Sequence, residues 1–260
     1  MASIVTNLER FHSRTVEYLH PVRVVFHHVP KCGGTSVGRA LRLRYLLSQE
    51  TILPEASFRA FAAFSNPPDH EQALVDVLDL REQMLLYLLF QDVRCISAHV
   101  RFSNVAYRMF HDRYRFITIL RDPVSRFLSH YRWNLRNPAD HAHLNVPFEE
   151  FLEGPRAQRL GAMYVEYFGG LPIDADIRSE DAIRLAIQNL RNFDVVGRLD
   201  RLDEFRAQIK EKLGVRLKIG HENENRSGKL GELSDLAPRM REKLMEICAP
   251  DVAVWNSVSG

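Results

Sequence analysis

Three sets of residues in this chain are of types that hold or move charge. The first is the string Val29-Pro30-Lys31-Cys32-Gly33-Gly34-Thr35-Ser36. Gly33 and Gly34 free the backbone to turn and to bring its N–H groups close to a ligand, while Thr35 and Ser36 are helix-capping types. With Lys31 adding a mobile positive charge, such a loop cradles an oxyanion. It is not a Walker loop, because the lysine precedes the glycines instead of ending a Gly-Lys-Ser/Thr run. The second set is Arg121 with Ser129 eight positions later. A guanidinium offers a bidentate fork and a serine a hydroxyl donor, a pairing suited to a phosphate. The third is His99, whose imidazole, with an ordinary pKa of about 6.5, can take a proton near neutral pH.

The elements around these residues place them together. Residues 24–26 are an apolar run without helical period, as in a buried parallel strand, and Val37, Ala40 and Leu41 give the segment after the loop an inward helical face. Residues 93–100 read as a second strand that ends near His99, and residues 115–121 as a third that ends on Arg121. Asp122 and Pro123 then fit the N-cap and first position of a helix, on which Val124, Leu128, Tyr131 and Leu135 form an apolar stripe beside Ser125, Ser129 and Arg132. Ligands of an open parallel sheet gather beyond the carboxyl ends of its strands, where all three sets fall. His27 and His28 read as supports for the loop, and His130 as turned about 100° from Ser129.

The remaining segments read as a frame. Residues 48–92 form a helical insertion, with a short helix in a loop-rich part to residue 70 and a core helix over 71–90. Helices are expected over 148–168 and 181–193, a stretch from residue 194 that begins as a short buried strand and turns into a helix running to about Leu213, and a last helix over 237–248. Residues 221–229 are a polar loop.

Two of these strings resemble motifs of the sulfotransferases that use 3'-phosphoadenosine-5'-phosphosulfate. His28-Val29-Pro30-Lys31-Cys32-Gly33-Gly34-Thr35-Ser36 is similar to their phosphosulfate loop, above all in the carbohydrate branch that contains the heparan sulfate 2-O-sulfotransferases; Cys32 stands where a threonine is usual. The run from Leu120 to Tyr131 resembles the motif whose arginine and serine bind the 3'-phosphate, which implies that role for Arg121 and Ser129. Ala98-His99-Val100-Arg101-Phe102 resembles the Gly-His-Val segment that carries the catalytic histidine, with alanine for glycine. Arg226, Ser227, Gly228 and Lys229 resemble the basic C-terminal loop that closes over the 3'-phosphate.

The resemblance implies one α/β domain over residues 1–260, a P-loop-like three-layer fold with a mostly parallel sheet, in which residues 1–21 form an N-terminal extension. It implies sulfuryl transfer from 3'-phosphoadenosine-5'-phosphosulfate to a hydroxyl, with adenosine 3',5'-bisphosphate (PAP) as product and no metal required. His99 would be the base, Lys31 would assist the chemistry, and Lys31, Cys32, Gly33, Gly34, Thr35, Ser36, Arg121, Ser129 and the 226–229 loop would hold the donor. A glycan or glycolipid acceptor is favoured, and a phenol, lipid or antibiotic stays open.

Composition narrows the alternatives. At 260 residues and 45% hydrophobic content the chain can bury a sizeable core without disulfides or metal. Cys32, Cys95 and Cys248 lack metal-site spacing, so reduced thiols are expected, and His141 and His143 have no ligand-type neighbour; a cytoplasmic, bacterial setting is expected because the chain lacks the membrane anchor that animal Golgi sulfotransferases carry. No stretch is a candidate signal peptide or membrane span. The net charge of +2 conceals a block between Arg94 and Arg136 with nine arginines against two aspartates, a magnet for anions. Two other readings are a P-loop nucleotide kinase, for which the Walker lysine and serine are missing, and an arginine-rich nucleic-acid-binding module, for which no recognition motif is present.

Overall fold

The computed structural model describes residues 15–19, 21–137, 143–220 and 233–258. Five parallel strands, β1 (Arg23–His27), β2 (Gln49–Ile52), β3 (Cys95–Ala98), β4 (Tyr114–Leu120) and β5 (Val195–Arg198), form one sheet in the order β2-β3-β1-β4-β5. Side chains alternate across it. Val24 and Phe26 join Ile117 and Ile119 under α1 (Gly34–Arg44), while Val25, Ile96 and Phe116 face the larger core on the other side. The chain is therefore a three-layer α/β fold with a parallel sheet, as its sequence leads one to expect.

Gln49–Ile52 departs from the helical reading of residues 48–92, because it is the edge strand beside β3. Only Ile52 of its four residues is buried, so it lacks the apolar run by which a central strand is recognised. Beyond it lie α2 (Pro54–Ser65), with proline at its first position, and α3 (His70–Phe90), capped by the Asp69 carboxylate on the Glu71 N–H. After β3 come α4 (Asn104–Phe110) and, after β4, α5 (Pro123–Arg136), where the Asp122 carboxylate accepts from the Ser125 N–H at 2.8 Å.

The single helix expected over 148–168 is three short ones, α6 (Phe148–Glu153), α7 (Pro155–Leu160) and α8 (Met163–Phe168). Pro155 opens the second. Gly161 separates it from the third, where a Cβ would lie 2.3 Å from the Ile247 carbonyl. The frame is completed by α9 (Glu180–Leu190), α10 (Leu202–Leu213) and α11 (Pro238–Ser257). The last helix runs nine residues past the end expected at residue 248, through Pro250. Proline frees a carbonyl four positions back, and Arg178 donates to both Glu246 (3.2 Å) and Ile247 (2.9 Å) carbonyls there.

A fully buried ion pair locks α5 to α11: Arg126 donates to Asp251 at 3.1 Å, and Asp251 also accepts the Tyr164 N–H at 2.7 Å. Removing one partner leaves the other charge buried alone. Asp251→Ala is therefore expected to cost roughly 3–5 kcal/mol of stability. Urea unfolding measures it, and a loss below about 1 kcal/mol, the size of a surface pair, would contradict this account.

Candidate active site

The register of the sheet brings the chemical residues to one edge. His27 pairs with Ala98 on one side and Thr118 on the other, so the segments that follow β1, β3 and β4 emerge together. The His28 N–H continues the ladder by donating to the Ala98 carbonyl at 2.8 Å, which sets His28 beside His99.

The loop between β1 and α1 turns through two left-handed residues, Lys31 (φ 66°) and Gly33 (φ 75°). Glycine takes that conformation freely; lysine does not, and a strained lysine is a signature of a site where geometry serves function. Gly33 is the N-cap, so α1 begins at Gly34 and no side chain caps it. Thr35 and Ser36, expected to cap, instead lie inside the first turn, because the glycine pair completes the bend before them. The first-turn N–H groups carry partial positive charge without intrahelical acceptors, the setting in which an anion binds. Cys32 is fully buried, with Sγ 3.7 Å from the Pro30 carbonyl and 3.5 Å from the Tyr164 hydroxyl, so its side chain turns into the core and only its backbone lines the loop.

Gly34 has a second use. A Cβ there would lie 2.0 Å from Cδ2 of His28, so the imidazole occupies the space that any side chain would fill. One face of His28 stacks on Phe26, with centroids 5.5 Å apart and planes 14° apart, and His99 lies on it with centroids 4.0 Å apart.

His99 is half-buried, and its Nδ1 is enclosed without a hydrogen-bond partner. Burial pushes its pKa well below 6.5, and the neighbouring His28, Arg81 and His130 add to the effect. The imidazole is thus neutral near pH 7. Arg81 on α3 braces it, donating to Ser57 Oγ (2.8 Å), the Pro54 carbonyl (3.1 Å) and the His99 carbonyl (3.4 Å).

Opposite stand the cations. Arg121 is half-buried at the end of β4 and donates to the Lys31 carbonyl at 3.4 Å, while Arg132 and Arg136 follow on α5. Together with burial these three arginines pull the Lys31 pKa down to about 8, and its Nζ rests 5.5 Å from the centre of the Trp133 ring. Ser129 is buried on the same helix. The sequence-expected Lys31, Gly33, Gly34, Thr35, Ser36, His99 and Arg121 therefore share one edge of the sheet, and Ser129 lies farther along the helix that starts there. Arg226, Ser227, Gly228 and Lys229 lie outside the described residues.

His28 and His130 are additions. The sequence reads His28 as a support for the loop and His130 as turned about 100° from Ser129, yet both lie close enough to His99 to depress its pKa. Rotation by about 100° does carry His130 off the Ser129 face, but not away from His99. A histidine next to a phosphate-type serine, on a helix that starts at the binding edge, was the available signal.

The model of the sulfotransferase family matches residues 20–254, so the chain belongs to the sulfotransferase family. Comparison with curated proteins returns no match. Among solved structures the chain is similar to a sulfotransferase from Alicyclobacillus acidocaldarius, with 18% identity, a TM-score of 0.47, and coverage of 91% of this chain and 95% of that one. Among the described residues no helix is long and apolar enough to cross a membrane.

Proposed function

We propose that this chain transfers the sulfuryl group of 3'-phosphoadenosine-5'-phosphosulfate to a hydroxyl of a carbohydrate acceptor. The observation that carries this reading is the left-handed turn of Lys31 and Gly33 into an uncapped helix N-terminus, with Arg121 on the Lys31 carbonyl at 3.4 Å and Arg136 and Arg132 close enough to Lys31 to lower its pKa. Like charges so arranged repel one another until an anion joins them, and the donor brings anionic groups at both its 3' and 5' positions. The residues fit that ligand. The N–H groups of the Gly33-Gly34 turn and Lys31 would hold the phosphosulfate, and Arg121 with Ser129 the 3'-phosphate.

The donor supplies an activated sulfuryl group. The chain's task is to align it, to place positive charge where negative charge develops, and to accept the acceptor's proton at His99. A carbohydrate acceptor is supported by the resemblance of the loop and of the Ala98-His99-Val100 string to the carbohydrate branch. Three free, buried cysteines agree with a reducing compartment.

Titration calorimetry with adenosine 3',5'-bisphosphate in EDTA tests the donor, and radiolabelled phosphosulfate with a panel of glycans, phenols and lipids tests the acceptor. Loss of metal-free binding would remove the proposal. Arg121→Ala should weaken the bisphosphate far more than adenosine 5'-monophosphate, because the guanidinium serves a group that only the former carries. Equal losses for the two would place Arg121 elsewhere.

A further inference from the structure

We propose that Tyr164 is a positioning residue that fixes the spacing between the glycine loop and Arg121, and with it the separation of donor phosphates that this site accepts. The inference rests on the donor reading above. Tyr164 lies on α8, outside all three sequence motifs, and is completely buried. Its hydroxyl accepts the Arg121 N–H at 2.9 Å, donates to the Arg121 carbonyl, and lies 3.5 Å from Cys32 Sγ. A tyrosine hydroxyl has one proton to give and two lone pairs to fill. Here the proton goes to Arg121, one lone pair takes the Arg121 N–H, and the other faces the Cys32 thiol.

One atom therefore joins the middle of the loop to Arg121, the residue that follows β4. At the end of β4 the hydroxyl supplies what another strand would supply, a donor and an acceptor for the same residue. The ring is itself anchored. Asp251 accepts the Tyr164 N–H at 2.7 Å and the Val165 N–H at 3.4 Å. The Arg126 guanidinium, bound to Asp251, lies 5.3 Å from the centre of the Tyr164 ring and belongs to the helix that carries Ser129. Loop, strand end and phosphate helix thus converge on one side chain. A phenylalanine would fill the same volume, so what the hydroxyl adds is the registration of Arg121 against Cys32.

The test is calorimetry on wild type, Tyr164→Phe, Arg121→Ala and the double variant, with adenosine 3',5'-bisphosphate and adenosine 5'-monophosphate as probes. Only the first probe spans both elements. Tyr164→Phe should weaken the bisphosphate roughly tenfold, the scale of a buried hydrogen bond lost with its partners left unpaired, and leave the monophosphate within about twofold. In the Arg121→Ala background it should change neither, since Tyr164 acts through Arg121.

Undiminished discrimination in Tyr164→Phe, or losses that add to those of Arg121→Ala, would overturn the positioning role. Should Tyr164→Phe fail to give a cooperative melt, Cys32→Ala carries the test, because it removes only the loop-side contact. The same selective loss supports the role, and an equal loss for both probes rejects it. A wild type that does not prefer the bisphosphate sinks the donor reading itself, which is a separate outcome.

Discussion

Lys31→Ala is expected to lower kcat by about a hundredfold or more, the scale set by removal of one preorganised electrostatic group. The leaving phosphate gains negative charge as the sulfuryl group departs, so a cation at that point gains most in the transition state and its loss falls on turnover. The backbone at Lys31 is left-handed, and alanine is as strained there as lysine, so the comparison isolates the ammonium. The pH profile separates this role from a structural one. Burial and three arginines hold the Lys31 pKa down to about 8, so above that pH the free enzyme loses the charge that attracts the donor. In kcat/KM for the donor an alkaline limb should appear near pH 8. Bound anions stabilise the ammonium, so in kcat the same limb moves to higher pH. Lys31→Ala should lack both, and wild-type turnover in that variant would remove Lys31 from the chemistry.

Local strings announced the centre of this molecule because its residues do two jobs in consecutive positions. A strand that must be buried on both faces shows as residues 24–26, and a loop that must bend tightly shows as Gly33-Gly34; both signals are short-range. The strand at the sheet edge gave no such signal. Gln49–Ile52 satisfies its backbone through β3 and exposes its side chains, so only the pairing identifies it. Gly34 illustrates a finer limit: its value as a turn former is written in the string, whereas its service as a seat for His28 exists only once the ring folds back over it.

Distance in sequence hid the rest. Tyr164 and Asp251 belong to helices whose composition reads as ordinary core, and their polar atoms acquire meaning from Cys32, Arg121 and Arg126, which no spacing rule connects to them. Arg81 is similar. It sits on the core helix of the expected insertion and braces the His99 carbonyl, so the segment between α1 and β3 supports the edge that carries the candidate site. The burial of that guanidinium could not be foreseen, since arginine on a helix is usually a solvent-facing residue.

His99→Ala should collapse turnover while nucleotide affinity persists. General-base catalysis contributes about a hundred- to ten-thousandfold, and the proton taken from the acceptor hydroxyl has no part in holding the donor. The sign of the pH effect follows from the site. Burial first, then His28, Arg81 and His130, keep the His99 pKa well below 6.5, so the free enzyme carries the neutral base through the physiological range and loses it only as pH falls through that depressed value. Anionic donor bound beside these groups opposes their charge and raises the pKa again. The acidic limb of kcat should accordingly lie at higher pH than that of kcat/KM measured from free enzyme, and a base nearer the working pH is the stronger catalyst. Two other imidazoles compete for the role. His28 packs against both Phe26 and His99 beside the Gly34 backbone, the place of a packed support, and His130 follows Ser129 beside Trp133. His28→Ala and His130→Ala should therefore keep an acidic limb even where kcat falls, whereas His99→Ala should abolish it. If the limb survives in His99→Ala and disappears in one of the others, the base is that histidine.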